Sequence, residues 1–235
     1  MMKDGRLIII GDGETAQIAY EYFTHDSPCE VVAFSVEKEF LREKELFGLP
    51  VVPFEHLETL YDPAEYRVYV AISYTQLNRV RTRLYREAKR KGFLAASYVS
   101  SRAFVWRNVT IGDNCFIFEH NVLQHRVRVG NNVVLWSGNH LGHRSVIGDN
   151  CYVSSHVVIS GYCEIGEYCF LGVNCCLADH VRIAKDCIIG AGAVIIKDTE
   201  PGKVYVGNPA RPLDKSSYAA FGVKAAETPS GLREL

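Results

Sequence analysis

The sequence predicts two units in one chain, a small parallel α/β unit followed by a parallel β-helix. Two observations carry this. From Val99 to Ile195 every sixth residue is Leu, Ile or Val, seventeen in succession without a break. Ahead of that register, short apolar runs alternate with helical stretches, and the first run ends in the loop Gly11-Asp12-Gly13-Glu14. A hydrophobic period of six fits neither an α-helix nor one long strand. It fits short strands stacked coil on coil, each coil touching only its neighbours. Strands alternating with helices are the pattern of a parallel sheet with crossover helices.

In chain order, residues 6–10 read as a buried strand, and Gly11 to Ala16 lead into a helix through residue 22. Strands are expected at 29–34, 49–52 and 67–72. A helix over 76–91 places Leu77, Val80, Leu84 and Ala88 on one face. It also carries Arg79, Arg81, Arg83, Arg86, Lys89, Arg90 and Lys91 against Glu87 alone, which reads as a solvated face. Glycine often follows the repeat's apolar first position, as at Gly112, Gly130, Gly148 and Gly166, and is expected to supply turns with unusual backbone angles.

With 48% hydrophobic residues, 23% charged residues and a formal net charge of −1, the composition is that of a soluble globular protein. Such a balance gives no global field to attract nucleic acid or an anionic membrane. The apolar run at residues 7–10 is too short for a signal peptide, and the chain has no uncharged stretch approaching a membrane span, so a cytoplasmic location is expected. Six of the eight cysteines, Cys115, Cys151, Cys163, Cys169, Cys175 and Cys187, fall in position five of the repeat. They read as small apolar fillers of a solenoid rather than metal ligands or disulfides, and no metal is expected.

His125 and His143 both stand in position three, eighteen residues apart. With three hexads to a coil, their side chains project outward from adjacent coils, about 4.8 Å apart as stacked strands are. His140 falls in position six, expected near a coil corner, where it either contacts substrate or bonds in a subunit seam. His120, His156 and His180 share position four and read as surface or seam residues.

The segment GAGAVIIKDTEPGKVYVGNPARP, Gly190 to Pro212, resembles the closing segment of hexapeptide acyltransferases. That resemblance implies a left-handed β-helix and a homotrimer; parallel crossovers otherwise favour the right hand. A small α/β unit with a Gly-rich first turn ahead of such a β-helix is similar to the PglD/NeuD group of bacterial sugar acyltransferases. The domains expected on this basis are 1–95 for nucleotide-sugar binding, 96–200 for acyl transfer, and a C-terminal tail over 201–235.

The group's motif hxHxxxIG matches His143-Arg144-Ser145-Val146-Ile147-Gly148. The resemblance therefore implies that His143 is the general base, a role suited to a neutral imidazole near pH 7. It implies Gly161 as the backbone donor to the oxyanion, with Tyr152, Val173 and Ala191 along the acetyl-CoA. It assigns Gly11, Gly13, Ala71, Ile72 and Ser73 to the nucleotide site of the sugar substrate, while His140 is a candidate substrate contact by its place in the repeat alone. Group members often flank the histidine with carboxylates, whereas this chain has Gly142 and Arg144. The implied activity is acyl transfer, expected to be acetyl, from CoA to the amino group of a nucleotide-linked amino sugar, in surface-polysaccharide or glycan synthesis. The alternatives are O-acetylation of a sugar hydroxyl of the sialic-acid type and a non-catalytic trimeric scaffold that binds CoA or sugar. A zinc enzyme of the γ-type carbonic anhydrases, using His120 and His125, is a further rival.

Overall fold

A computed structural model describes residues 5–224. Residues 225–235 of the expected tail lie outside the described residues. The first unit is one sheet with helices. Strand β1 (Arg6–Ile10) leads through Gly11–Gly13 into α1 (Glu14–Asp26), followed by β2 (Glu30–Val36), β3 (Glu45–Leu46), β4 (Leu49–Pro53), the single turn α2 (Leu57–Leu60), β5 (Tyr66–Val70), α3 (Arg79–Arg90) and β6 (Leu94–Ala95). The strand order is β3-β4-β2-β1-β5-β6, all parallel except the β3–β4 hairpin. The connection after β1 runs to one side, while β5 lies on the other. The loops at the ends of β1 and β5 therefore flank a topological switch point, where open α/β sheets place their ligands.

From Tyr98 onward the chain forms two-residue strands in three parallel sheets, one per face of a triangular prism. Registry is eighteen residues: Leu123 pairs with Leu141, Leu141 with Ile159, and Ile159 with Leu177. Three hexads thus make one coil. The first-position residues from Ile117 onward and the position-five cysteines fill the prism, and all six of those cysteines are fully buried and unbridged. Burial pushes the Cys115 and Cys175 thiols up to about 12, which suits packing and removes them as nucleophiles.

The turns correct one expectation. Left-handed backbone occurs at position four, not at the glycines of position two. Asn114, His120, Arg126, Asn132, Arg144, Asn150, His156 and Tyr162 all have φ between 52° and 62°. The position-two glycines answer a different demand. A β-carbon on Gly142 would stand 2.5 Å from the carbonyl carbon of Ser160, one coil on. At Gly112, Gly130, Gly142, Gly148, Gly166 and Gly172 a β-carbon would fall within 3.0 Å of the next coil, so glycine at these places is a matter of space.

One face of the prism, carrying Phe116, Val134, Tyr152 and Phe170, is covered by the first unit. Helix α1 brings Phe23 onto Phe116 and Tyr98, with Tyr69 of β5 completing the layer. A buried asparagine ladder pins the two units together. Asn114 accepts from the backbone N–H of Val70 at 2.8 Å and donates to Asn132, which in turn donates to Asn150.

Helix α3 is only in part the solvated face its composition suggests: Arg83, Arg86, Lys89 and Arg90 are exposed, whereas Arg79 and Arg81 are not. Arg81 is fully buried and donates to the carbonyls of Asn132 and Cys151, and Arg79 pairs with Asp186 at 2.5 Å. The basic side chains that docking requires are contributed by a helix whose partners lie more than fifty residues away in sequence. Beyond the last coil, Lys203–Val206 joins the covered sheet parallel to Ile188–Ile189, and Arg211–Ser216 closes it as a hairpin. Residues 203–224, expected as part of a tail, thus extend the prism.

Candidate active site

The prism has three edges, each a column of position-three residues spaced by eighteen. The first carries His125, His143, Gly161 and Asp179; the second Ser137, Ser155, Val173 and Ala191; the third Asp113, Asn131, Asp149, Glu167 and Lys185. Position three is a turn residue, so its side chain points away from the core, and His125 and His143 are both exposed.

On the first edge the His143 ring leans over Gly161. A β-carbon there would fall 2.7 Å from Cε1 of the imidazole and 3.0 Å from Nε2. The backbone N–H of His143 donates to Oε1 of Gln124 at 3.0 Å. Its ring meets Tyr162 edge-on, with centroids 5.0 Å apart and planes at 83°. Tyr162 is stacked on His180 at 4.8 Å, and the Arg144 guanidinium lies 5.9 Å from the Tyr162 centroid. Arg144 thus has a structural account. It occupies the left-handed turn, its N–H donates to the carbonyl of His125, and its charge faces an aromatic ring.

Gly161 does not present a free N–H. That group donates to Oδ1 of Asp179 at 2.8 Å, so a carboxylate sits where an oxyanion would be received. Of the assigned residues, Gly161 is the one the structure brings to His143.

Tyr152, Val173 and Ala191 come together elsewhere, in a cavity of about 370 Å³ on the second edge, with Tyr74, Trp136 and Phe170 as its other aromatic walls. Tyr152 is buried, stacks on Phe170 at 5.6 Å, meets Tyr74 edge-on at 5.0 Å, and accepts from Nε1 of Trp136. Burial raises its phenol above the ordinary range, leaving a neutral aromatic wall. Tyr74, Trp136 and Phe170 were not singled out from sequence. A signal existed, since Phe116, Tyr152 and Phe170 form an aromatic column at position six.

Gly11, Gly13, Ala71, Ile72 and Ser73 gather at the switch point. Gly11 has φ +125°, and a β-carbon would press to 2.9 Å on the carbonyl oxygen of Ala71 and 3.4 Å on Cδ1 of Ile72. Only glycine fits there. Around Gly13, at the start of α1, a β-carbon would meet nothing within 4 Å, so the loop is open. Ser73 is followed directly by Tyr74, which joins this crevice to the aromatic cavity.

His140 is corrected. It stands in the strand His140–Leu141, paired with Val122 and Val158, on the flat face between the first and second edges and not at a corner. His120 and His125, the pair suggested by a zinc reading, lie on different edges, and among the described residues no group of three or more His, Cys, Asp or Glu side chains is arranged to hold a metal ion. No helix among the described residues is long and apolar enough to cross a membrane.

Residues 108–142, 126–161 and 162–197 match the bacterial transferase hexapeptide family, described as six repeats. No curated protein is similar to the chain in sequence. Among solved structures, a point mutant of perosamine N-acetyltransferase from Caulobacter crescentus, determined with CoA and GDP-perosamine, is 25% identical, covers 92% of this chain and 100% of its own, and superposes with a TM-score of 0.80. The acetyltransferase domain of PglB from Neisseria gonorrhoeae FA1090 is 24% identical over 89% of this chain and 100% of its own, with a TM-score of 0.78. WeeI from Acinetobacter baumannii AYE is 22% identical over 89% of this chain and 100% of its own, with a TM-score of 0.74. Both units are spanned in each case, so the pairing of α/β unit and prism is a shared architecture.

Proposed function

We propose that this chain, a hexapeptide-repeat protein with the two-part architecture of the sugar acetyltransferases it superposes on, transfers an acetyl group from acetyl-CoA to the amino group of a nucleotide-linked amino sugar. The observation that carries the reading is the join between crevice and cavity. The Gly11–Gly13 loop and Ser73 open at the switch point, and Tyr74 leads from them into the cavity of Tyr152, Val173 and Ala191. The crevice takes the nucleotide end of the sugar, and the second edge takes the pantetheine and acyl group. The Caulobacter enzyme, which superposes over both units, was determined with CoA and a nucleotide-linked amino sugar, and this supports the same pair of ligands here.

His143 is the general base. It removes the proton from the amine as nitrogen attacks the thioester carbonyl, and the thiolate of CoA leaves as the amide forms. Gly161 supplies the oxyanion donor, with the thioester oxygen displacing the Asp179 carboxylate from its N–H. His143 and the aromatic cavity stand on different edges of one prism. A complete site therefore places the first edge of one copy against the second edge of another, which a left-handed homotrimer does three times over. The enzyme acts in the cytoplasm, on a sugar destined for surface polysaccharide or another glycan.

The test is thiol release from acetyl-CoA with a panel of nucleotide-linked amino sugars and their hydroxyl counterparts, comparing wild type with His143→Ala. A general base contributes about 10²–10⁴-fold, so kcat should fall by that factor. An undiminished rate removes His143 as the base. Turnover confined to hydroxyl acceptors replaces N-acylation by O-acylation. Light scattering tests the assembly against a chain mass of 26.3 kDa.

A further inference from the structure

A second cavity, of about 450 Å³, lies where α3 docks beside the third edge, away from His143 and from the aromatic cavity. Its walls are Arg79, Arg83, Arg86 and Arg90, spaced along one face of α3, with Thr82 and Tyr168. No carboxylate lines it among the described residues.

The four arginines are not equivalent. Arg79 is neutralised by Asp186 at 2.5 Å, both side chains being nearly buried, and its guanidinium stacks 3.7 Å above the Tyr168 ring. Arg83 makes a two-pronged pair with Glu37 at 2.7 and 2.8 Å. Lys89, on the same helix, is turned aside to Asp113 at 2.6 Å. Arg86 and Arg90 remain exposed in the cavity wall, and among the described residues neither forms a salt bridge. Arg86 donates to the Tyr168 hydroxyl at 3.2 Å. A guanidinium only donates, so the phenol oxygen is the acceptor and its own proton is left for another partner.

We propose that this cavity binds a phosphate dianion, the terminal phosphate or diphosphate of a soluble organic phosphate, held by Arg86, Arg90 and the Tyr168 hydroxyl. Two uncompensated charges match a dianion, and the planar guanidinium fork suits phosphate oxygens. Walls of a single sign of charge also focus the field into the cavity. A phospholipid headgroup shares this chemistry. The soluble source is favoured because the site is concave and lined by no exposed aliphatic side chain, whereas docking on a bilayer surface combines basic residues with an apolar face.

The test uses the full chain and pyrophosphate as probe. Isothermal titration compares wild type with Arg86→Ala/Arg90→Ala and with Arg86→Lys/Arg90→Lys, circular dichroism and melting temperature confirming that the exposed substitutions leave the fold intact. The alanine pair should lose one binding component or weaken it at least tenfold, and the lysine pair, which keeps charge without the fork, should be weakened less. Tyr168→Phe should also weaken that component, and thiol release from acetyl-CoA should be unchanged in all three variants. A parallel arm sediments wild type with vesicles containing phosphatidylglycerol. Identical pyrophosphate isotherms for wild type and the alanine pair overturn the site, and binding to vesicles without binding to pyrophosphate overturns the soluble source.

Discussion

The imidazole of His143 lies across the α-carbon of Gly161, one coil on, so the space above that glycine is the seat of the ring. A methyl group at 161 would stand 2.7 Å from Cε1. Because Gly161 has ordinary backbone angles, alanine there strains no turn. Gly161→Ala should therefore fold normally, with a melting temperature close to wild type, while displacing the ring. Misplacing a catalytic group by about 1 Å can cost on the order of 100-fold, and kcat/KM for acetyl transfer should fall by about that factor. A variant with wild-type kcat/KM would show that the ring position has no catalytic consequence.

Tyr162 holds the other side of that ring. It meets His143 edge-on, is stacked on His180, and faces Arg144. An aromatic pair of this kind is worth about 0.5–1.5 kcal/mol. Tyr162→Phe keeps the ring and should stay within about twofold of wild type, whereas Tyr162→Ala should lower kcat by about tenfold with KM for acetyl-CoA little changed, following the interaction energy. Equal rates for the two variants would remove Tyr162 as a positioning residue.

Asn132 is the middle rung of the ladder that fixes the prism to the sheet. It is fully buried, accepts from Asn114, donates to Asn150, and occupies a left-handed turn at φ +56°. Asn132→Ala leaves Asn114 and Asn150 short of a partner and puts a β-carbon residue without asparagine's local preference in that turn, at a combined cost of about 3 kcal/mol. Urea unfolding should show it, and Asn132→Gly should recover the backbone part alone. Two equally large losses would place the whole cost in the hydrogen bonds.

Glu37 gives a pH dependence whose sign is fixed. The Arg83 hydrogen bonds hold its carboxyl below the ordinary range. A depressed carboxyl stabilises the fold above its unfolded pKa, about 4.3, and the contribution is lost as pH falls through the lower folded value. The pair is partly exposed, so its worth is below about 1 kcal/mol. The difference in unfolding free energy between wild type and Glu37→Gln should be constant from pH 6 to 8 and should close at acid pH. A gap that widens on acidification would reverse the assignment.

The prism was legible in sequence because each hexad sends its first and fifth residues inward, a demand repeated at every turn. What was not legible depends on the next coil. Gly142 is glycine because the backbone of Ser160 is 2.5 Å from where its β-carbon would be, a contact eighteen residues away that looks locally like a turn signal. The basic face of α3 resembled solvated surface for the same reason, since Arg79 meets Asp186 and Arg81 meets Asn132 only once the units dock. The outward direction of His143 was legible from the register. Its aromatic surroundings were not legible because Tyr162 and His180 belong to position four, where His180 reads as a surface or seam residue and Tyr162 carries no motif.

The eighteen-residue registry also restricts how such a chain can change length. Losing one residue inside a coil strand would move every later side chain by one position, turning position-six residues such as Glu164 and Arg182 inward and carrying cysteines out of the core. A whole coil can be gained or lost without disturbing the three columns. Lengths along the prism are therefore inherited in steps of eighteen, and single insertions survive only at the turns, where an added residue bulges outward and alters an edge without shifting the coils behind it.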